Sequence, residues 1–361
     1  MPGRGAARTL RLPIFPGATV FAAMRPPRFL AREKRARHAR VWPCLLLLLY
    51  ASFAFFAGHL RAEEPFFKKG DVIAIVGGED MVALSEYGYL ELLLTRALPD
   101  YHLRFRNLAQ EGDTVFEQRR DLNFPTWEEA LEKIGATVVL CQFGQMESLA
   151  GKEKLPEFIA AYEKLLGRLS GGGKRRVILL GQTPVEDNQA FGILTPDRFS
   201  ARERDRECNA YTKAAEEIAQ SHGYTVIDLH AAIDHNPPGV TRDSLHLNDQ
   251  GHKVAARSIG DGLSPSAREA YRVLGSGLDR PNNPELHRLL ALIIAKNRLW
   301  FDYWRVQNWA FLAGDRTNQP SSRDHLDPTK RWFPEERERF LPLIEAKERE
   351  IDAQAEKLAQ P

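Results

Sequence analysis

Asp243 and His246 stand three residues apart in the segment Asp243-Ser-Leu-His246-Leu-Asn248. A carboxylate so close to an imidazole can hold the ring in one tautomer and stabilise its protonated form. With an ordinary pKa near ~6.5, His246 then suits general-base work around neutral pH. The competing reading is architectural: the pair caps and braces the helix that begins after Asn248. A second acid, Glu79, follows the pair Gly77-Gly78 at the end of an apolar run. It can position or deprotonate a water with His246, serve as a carboxylate nucleophile, or stand solvated without a role. Gly112 lets a backbone N–H approach a developing oxyanion, or simply makes a turn. The ten histidines lack the spacing of metal ligands, so no metal is expected, and nothing calls for a cofactor.

These residues need a scaffold that gathers distant loops. From Gly70 onward, short apolar runs alternate with amphipathic segments. The expected strands are 71–76, 102–107, 136–143, 176–180 and 225–229. The expected helices are 87–98, 155–169, 202–222 and 249–263, the second ended by Gly171, Gly172 and Gly173. Strands separated by helices imply a parallel sheet covered on both faces, a three-layer α/β/α sandwich. Ligands bind beyond the carboxyl ends of such strands, where Glu79, Gly112 and the His246 loop fall. Cys141, inside an expected strand, reads as a buried apolar residue.

Four loops at these strand ends carry a resemblance. They are Gly77-Gly78-Glu79-Asp80, Asn107-Leu-Ala-Gln-Glu-Gly112-Asp113-Thr114, Gly144-Gln145-Met146-Glu147-Ser148, and Asp243-Ser-Leu-His246. In order and spacing they resemble the four blocks of the SGNH (GDSL-like) hydrolases, over residues 70–262. Tyr87-Gly-Tyr-Leu-Glu91 and Arg106-Asn107-Leu108 are similar in style to an exported, planctomycete-type subfamily. The resemblance implies a flavodoxin-like sheet and hydrolysis of esters, often acetyl groups on carbohydrates. A small-molecule or carbohydrate ester is then the expected partner. It also implies catalytic roles for His246 and Asp243, and oxyanion or substrate contacts at Gly78, Gly112, Gly144 and Glu147. Two blocks depart from the pattern. Glu79 stands where the family has its serine nucleophile. Met146 stands where an asparagine donates to the oxyanion, and a thioether cannot donate. Losing one such donor costs about 2.7–4 kcal/mol of transition-state stabilisation. Ser85 lies six residues beyond Glu79, roughly 9 Å along a helix, too far to replace the nucleophile without rebuilding the turn. Two functions follow: an ester hydrolase with a degraded nucleophile block, and an inactive SGNH-fold module that binds a glycan or protein.

Composition sets the frame. The chain has 361 residues, 43% apolar and 27% charged, which fits a globular protein. Its three cysteines exclude a disulfide framework. Residues 1–62 hold eleven Lys/Arg against one acid, leaving 39 basic and 47 acidic residues beyond them. That acidic balance argues against a nucleic-acid partner. Residues 41–58 carry no charge and follow a stretch, 25–40, in which seven of sixteen residues are Lys or Arg. This describes a secretory signal cleaved near Leu60-Arg61-Ala62, or a retained membrane anchor over 41–58. Either way the folded part is expected to be exported, periplasmic or extracellular. The expected division is 1–62 as a basic N-terminus with signal or anchor, 63–265 as the hydrolase-like domain, and 266–361 as an aromatic helical extension. In the last, Leu286, Leu289, Leu290, Ile293 and Ile294 keep helical register. Trp300, Trp304, Trp309 and Trp332 are expected to pack on the body. Lys296, Asn297, Arg305 and Asn308 are expected to reach over the site mouth, and Leu341, Ile344, Ile351 and Leu358 to meet a partner helix.

Overall fold

The computed structural model describes residues 66–186, 201–234, 239–278 and 283–360. The expected signal or anchor lies outside them. The elements run β1 (Val72–Gly77), α1 (Glu79–Tyr87), α2 (Tyr89–Ala97), β2 (Arg104–Asn107), α3 (Trp127–Lys133), β3 (Val138–Gln142), α4 (Gln145–Ser148), α5 (Leu155–Ser170) and β4 (Arg176–Leu180). They continue with α6 (Ala201–His222), β5 (Thr225–Ile227), α7 (Leu229–Asp234), α8 (Asp249–Leu263), α9 (Pro265–Leu278), α10 (Pro284–Trp304), α11 (Trp309–Leu312), α12 (Trp332–Glu338) and α13 (Phe340–Ala359).

The five strands form one parallel sheet in the order β2-β1-β3-β4-β5. Both faces are apolar, as expected of a sheet covered twice. Ile73, Ile75, Val138, Leu140, Ile178 and Leu180 face Leu92 and Leu93 of α2 and Ile259 and Leu263 of α8. Ala74, Val76, Val139, Cys141, Val177 and Leu179 face Leu165 and Leu169 of α5 and Tyr211 and Ala215 of α6. Successive strand residues thus alternate between two cores. The strand order reverses between β1 and β3, so the crevice beyond their carboxyl ends is where a ligand site is expected.

The expected helix 87–98 starts two residues later, at Tyr89, because Gly88 adopts φ +68° and separates it from α1, a helix that the sequence pattern does not mark. A Cβ at Gly88 would lie 3.1 Å from Ile293 Cγ2 and 3.3 Å from Leu290 Cδ1. The break therefore lets α10 approach closely, a demand that comes from outside the segment. The C-terminal helices belong to the same compact unit as the sheet, which starts at Pro65. Leu289 and Ile293 of α10 enter one core, while Trp300, Tyr303 and Trp304 enter the other. α10 thus wraps the β2 edge, and α13 packs on α10 through Ile344 and Ile351. Three of the four tryptophans are buried; Trp332 is 37% exposed, with its indole N–H donated to Asp324. Among the described residues, no helix is long and apolar enough to cross a membrane.

Candidate active site

β1 ends at Gly77 with φ +151°, where a Cβ would sit 2.5 Å from the Gln142 carbonyl oxygen and 2.6 Å from Met81 Cγ. Only glycine lets the strand turn at once into α1. Glu79 is therefore the first residue of a helix whose N-terminus faces the crevice, and first-turn N–H groups have no intrahelical acceptor. The N–H groups of Glu79 and Gly112 have no acceptor among the described residues. Gly78, Glu79, Gly112, Gly144, Glu147 and His246 all line one cleft of about 230 Å³. The seventh expected residue, Asp243, stands behind His246.

The Asp243–His246 pair is formed. His246 Nδ1 lies 2.7 Å from Asp243 Oδ2. The other oxygen accepts the N–H of His246 at 2.7 Å and of Leu245 at 3.1 Å. Burial works to raise the Asp243 pKa, but the His246 N–H and ring hold it below the ordinary value. Capping is left to another residue: Asn248 Oδ1 accepts the Gly251 N–H at 3.0 Å at the start of α8. Capping of α8 therefore does not need the pair, while Asp243 also braces its own loop through the Leu245 and His246 N–H groups.

Glu79 is held by a residue that sequence reasoning missed. Its carboxylate accepts a hydrogen bond from Arg242, whose Nε also lies 3.8 Å from Asp243 Oδ2. One guanidinium therefore stands between the two acids that flank His246. No hydrogen bond joins Glu79 to His246 among the described residues. Asp80, also without an assigned role from sequence, is buried and braces the same loop. Its oxygens accept the Leu247 N–H at 3.0 Å and the Thr183 hydroxyl at 2.6 Å. Burial raises the Asp80 pKa, against those hydrogen bonds. Glu186 secures the approach to this loop by accepting the N–H groups of Gly239 at 2.9 Å and Thr241 at 2.8 Å. Adjacency to the Asp-x-x-His block was the one available signal for Arg242. For Asp80 and Glu186 there was none, because their partners are set by the fold.

Some expected parts serve differently. The Gly144 N–H is already donated to Glu147 Oε2 at 2.9 Å, and Glu147 Oε1 accepts the Val115 N–H at 2.7 Å. These two residues shape the cleft wall and tie two loops together; their hydrogen-bonding groups point at each other and at Val115. Ser85 accepts a hydrogen bond from Asn107 Nδ2 at 2.8 Å and lines a different pocket. Met146 is 47% exposed on the cleft. Among the described residues lining the cleft there is no Ser, Thr or Cys. Of the residues expected over the mouth, Lys296 and Asn297 are buried on Glu91 and the Ser85 carbonyl. A charge at that depth must find a counter-charge. Arg305 does reach a site loop, pairing with Glu111 beside Gly112 at 3.0 and 2.5 Å. No group of three or more His, Cys, Asp or Glu among the described residues is placed to hold a metal.

With the site's geometry in hand, the match to known proteins becomes specific. The family model of the GDSL-like lipase/acylhydrolase family matches residues 70–254, which spans every cleft residue named above. The chain belongs to that family. No curated protein matches its sequence. Among solved structures it is similar to Axe2, an acetylxylan esterase from Geobacillus stearothermophilus, at 18% identity and TM-score 0.42, covering 55% of this chain and 95% of that one. It is also similar to a gut microbial diltiazem-metabolizing enzyme at 12% identity and TM-score 0.51, covering 81% of this chain and 95% of that one. At 12% identity the likeness to the second is one of fold alone. This member of the GDSL-like family keeps the acid–imidazole pair in place and carries Glu79, ion-paired, at the head of its first helix.

Proposed function

We propose that the chain hydrolyses esters, carbohydrate O-acetyl esters in particular, with water as the nucleophile. The observation that carries this is the formed Asp243–His246 pair opening on a cleft with unpartnered backbone N–H groups at Glu79 and Gly112. His246 Nε2 takes a proton from water as the oxygen adds to the ester carbonyl, and Asp243 stabilises the imidazolium. The two N–H groups donate to the carbonyl oxygen as negative charge develops on it. Collapse returns the proton to the leaving alkoxide and yields carboxylic acid and alcohol. Glu79, paired with Arg242, orients the water and does not take its proton.

General-base catalysis contributes about 10²–10⁴-fold. His246→Ala is therefore expected to lose that factor on p-nitrophenyl acetate, and a wild type no faster than His246→Ala ends the enzyme reading. The second reading, a binding module on a hydrolase site, is favoured by Met146 and by the absence of a hydroxyl or thiol from the described cleft wall. A gain of activity confined to Glu79→Ser/Met146→Asn would decide for it. We further propose that the chain acts outside the cytoplasm, supported by the basic and then apolar N-terminus. Fractionation with N-terminal sequencing checks this, and a soluble cytoplasmic product beginning at Met1 overturns it.

A further inference from the structure

Two parts of the cleft come from distant stretches of the chain. The Glu79 N–H heads α1, and His246 lies on the loop before α8. An oxyanion donor and a base act on one ester only if their spacing holds to within about 0.5 Å. Asp80 joins the two stretches. One of its oxygens accepts the Leu247 N–H at 3.0 Å, across 167 residues. The other accepts the Thr183 hydroxyl at 2.6 Å, just past the end of β4. The residue after the oxyanion donor thus holds the residue after the base.

Other bonds to this loop cannot do the same work. Those from Asp243 to the Leu245 and His246 N–H groups lie within the loop, so they set its shape and not its distance from α1. Gln145 Nε2 donates to the Leu245 carbonyl at 2.8 Å, which holds the other flank of His246 to α4. Among the described residues, α1 hydrogen-bonds to the segment 239–247 at two places, Glu79 with Arg242 and Asp80 with Leu247. The first pair is wet, with side chains 36% and 46% exposed, and can exchange partners. The second is dry: Asp80 is 6% exposed, Leu247 2% and Thr183 1%. A charge-assisted bond shielded from water is the firmer of the two.

We propose that Asp80 is a positioning residue for the reaction, which sets the spacing between the His246 ring and the Glu79 N–H by holding Leu247 against α1. The proposal rests on the hydrolase reading, in which His246 is the base. Both Asp80 oxygens are occupied, so it acts through the loop and not on the ester.

Three variants of the full chain test this. Asp80→Ala removes the brace. Asp80→Ser is polar but too short to reach Leu247, and serves if Asp80→Ala does not fold. Asp80→Asn keeps both bonds, its carbonyl accepting from Leu247 and its NH₂ donating to the Thr183 hydroxyl. On p-nitrophenyl acetate, the Ala and Ser variants are expected to lose about 10–100-fold in kcat, the scale of a misplacement near ~1 Å, with KM within about twofold. Asp80→Asn is expected to return to within about threefold of wild type. Crystal structures of the variants read the spacing without turnover. The distance from His246 to the Glu79 nitrogen should change by on the order of 1 Å in Asp80→Ala or Asp80→Ser, and stay put in Asp80→Asn. A spacing unchanged within about 0.5 Å in the Ala or Ser variant overturns the proposal. So does an Asp80→Asn no better than Asp80→Ala. A wild type no faster than His246→Ala ends the hydrolase reading separately, and the crystal spacing still decides what Asp80 holds.

Discussion

Two clusters of opposite charge, one under the C-terminal helices and one at the cleft, are built on different terms. Under α10, the Lys296 side chain has no exposed surface and lies 2.8 Å from Glu91. Asn297 Oδ1 accepts a second hydrogen bond from it at 2.6 Å. Arg106 with Glu348, at 2.6 Å, and Arg104 with Asp352, at 2.7 Å, extend the cluster along β2 to α13. Burial pushes Glu91 up and Lys296 down, both toward neutrality, and their contact opposes it. At the cleft, Arg242, Glu79 and Asp243 stay 46%, 36% and 37% exposed. Charges removed from water must be matched completely or the fold pays heavily. Charges left wet interact weakly, so they can change partners when a ligand or a proton arrives. The difference separates a buried, fully matched network from a wet and exchangeable one.

The largest effect expected from breaking this contrast is at Lys296. Lys296→Met leaves Glu91 buried without its cation and should cost about 3–5 kcal/mol in urea unfolding. Lys296→Met/Glu91→Leu should recover most of that loss, since a packed apolar pair replaces a matched ionic one at little cost. If the double variant is no better than the single, the cluster is not a paired unit.

Acid sensitivity sharpens the comparison on the cleft side. His252, in the first turns of α8, is 1% exposed, has neither ring nitrogen partnered among the described residues, and stacks on Tyr87 at 4.3 Å. Burial, with Arg242 adding to it, lowers its pKa to about 4. The unfolded chain binds this proton near pH ~6.5, so the folded state is disfavoured as pH falls. The stability tied to neutral His252 is complete above about 6.5, declines toward 4 and is gone below it. The loss amounts to up to about 3 kcal/mol. His252→Leu should flatten the stability difference between pH 7 and pH 4 by that amount. An unchanged slope would mean that His252 finds a partner when protonated.

The smallest effect is expected at Arg242. Exposed ion pairs contribute roughly 0–1 kcal/mol, so Arg242→Ala should leave the unfolding free energy within that range. A loss above about 2 kcal/mol would place Arg242 with the buried, fully matched network instead.

Much of the scaffold was legible in the chain itself. β4 and α8 lie at their expected residues, and β1, β3, α5 and α6 within a residue or two at each end. Each is announced by a local apolar run or period, and all but α8, which ends at Ser264-Pro265, by a glycine at or just past its end. The break at Gly88 was not legible, because the reason for it is the approach of Ile293 from α10. Nor were the short helices α1, α3 and α7, which owe their place to packing; α9, 14 residues long, lies in the segment beyond 265, which the pattern marks only as a helical extension. Within the site, the Asp243–His246 pair could be read because both partners lie on one loop. The Glu79–Arg242 pair could not, because its partners are 163 residues apart and either acid beside Arg242 was a plausible mate.

The sequence by itself determined the two apolar faces of each strand, the helices that cover them, the glycines that turn strand into loop, and the acid–imidazole pair. All of these depend on spacing within one short segment, where bond geometry imposes the period. The tertiary structure alone decided that Glu79 is ion-paired, that Gly144 and Glu147 satisfy each other, that Lys296 is interred with Glu91, and that the Trp304 indole N–H is buried without an acceptor among the described residues. These choices turn on which distant side chains share a desolvated space, and the energy of a polar group depends on that space far more than on its neighbours along the chain.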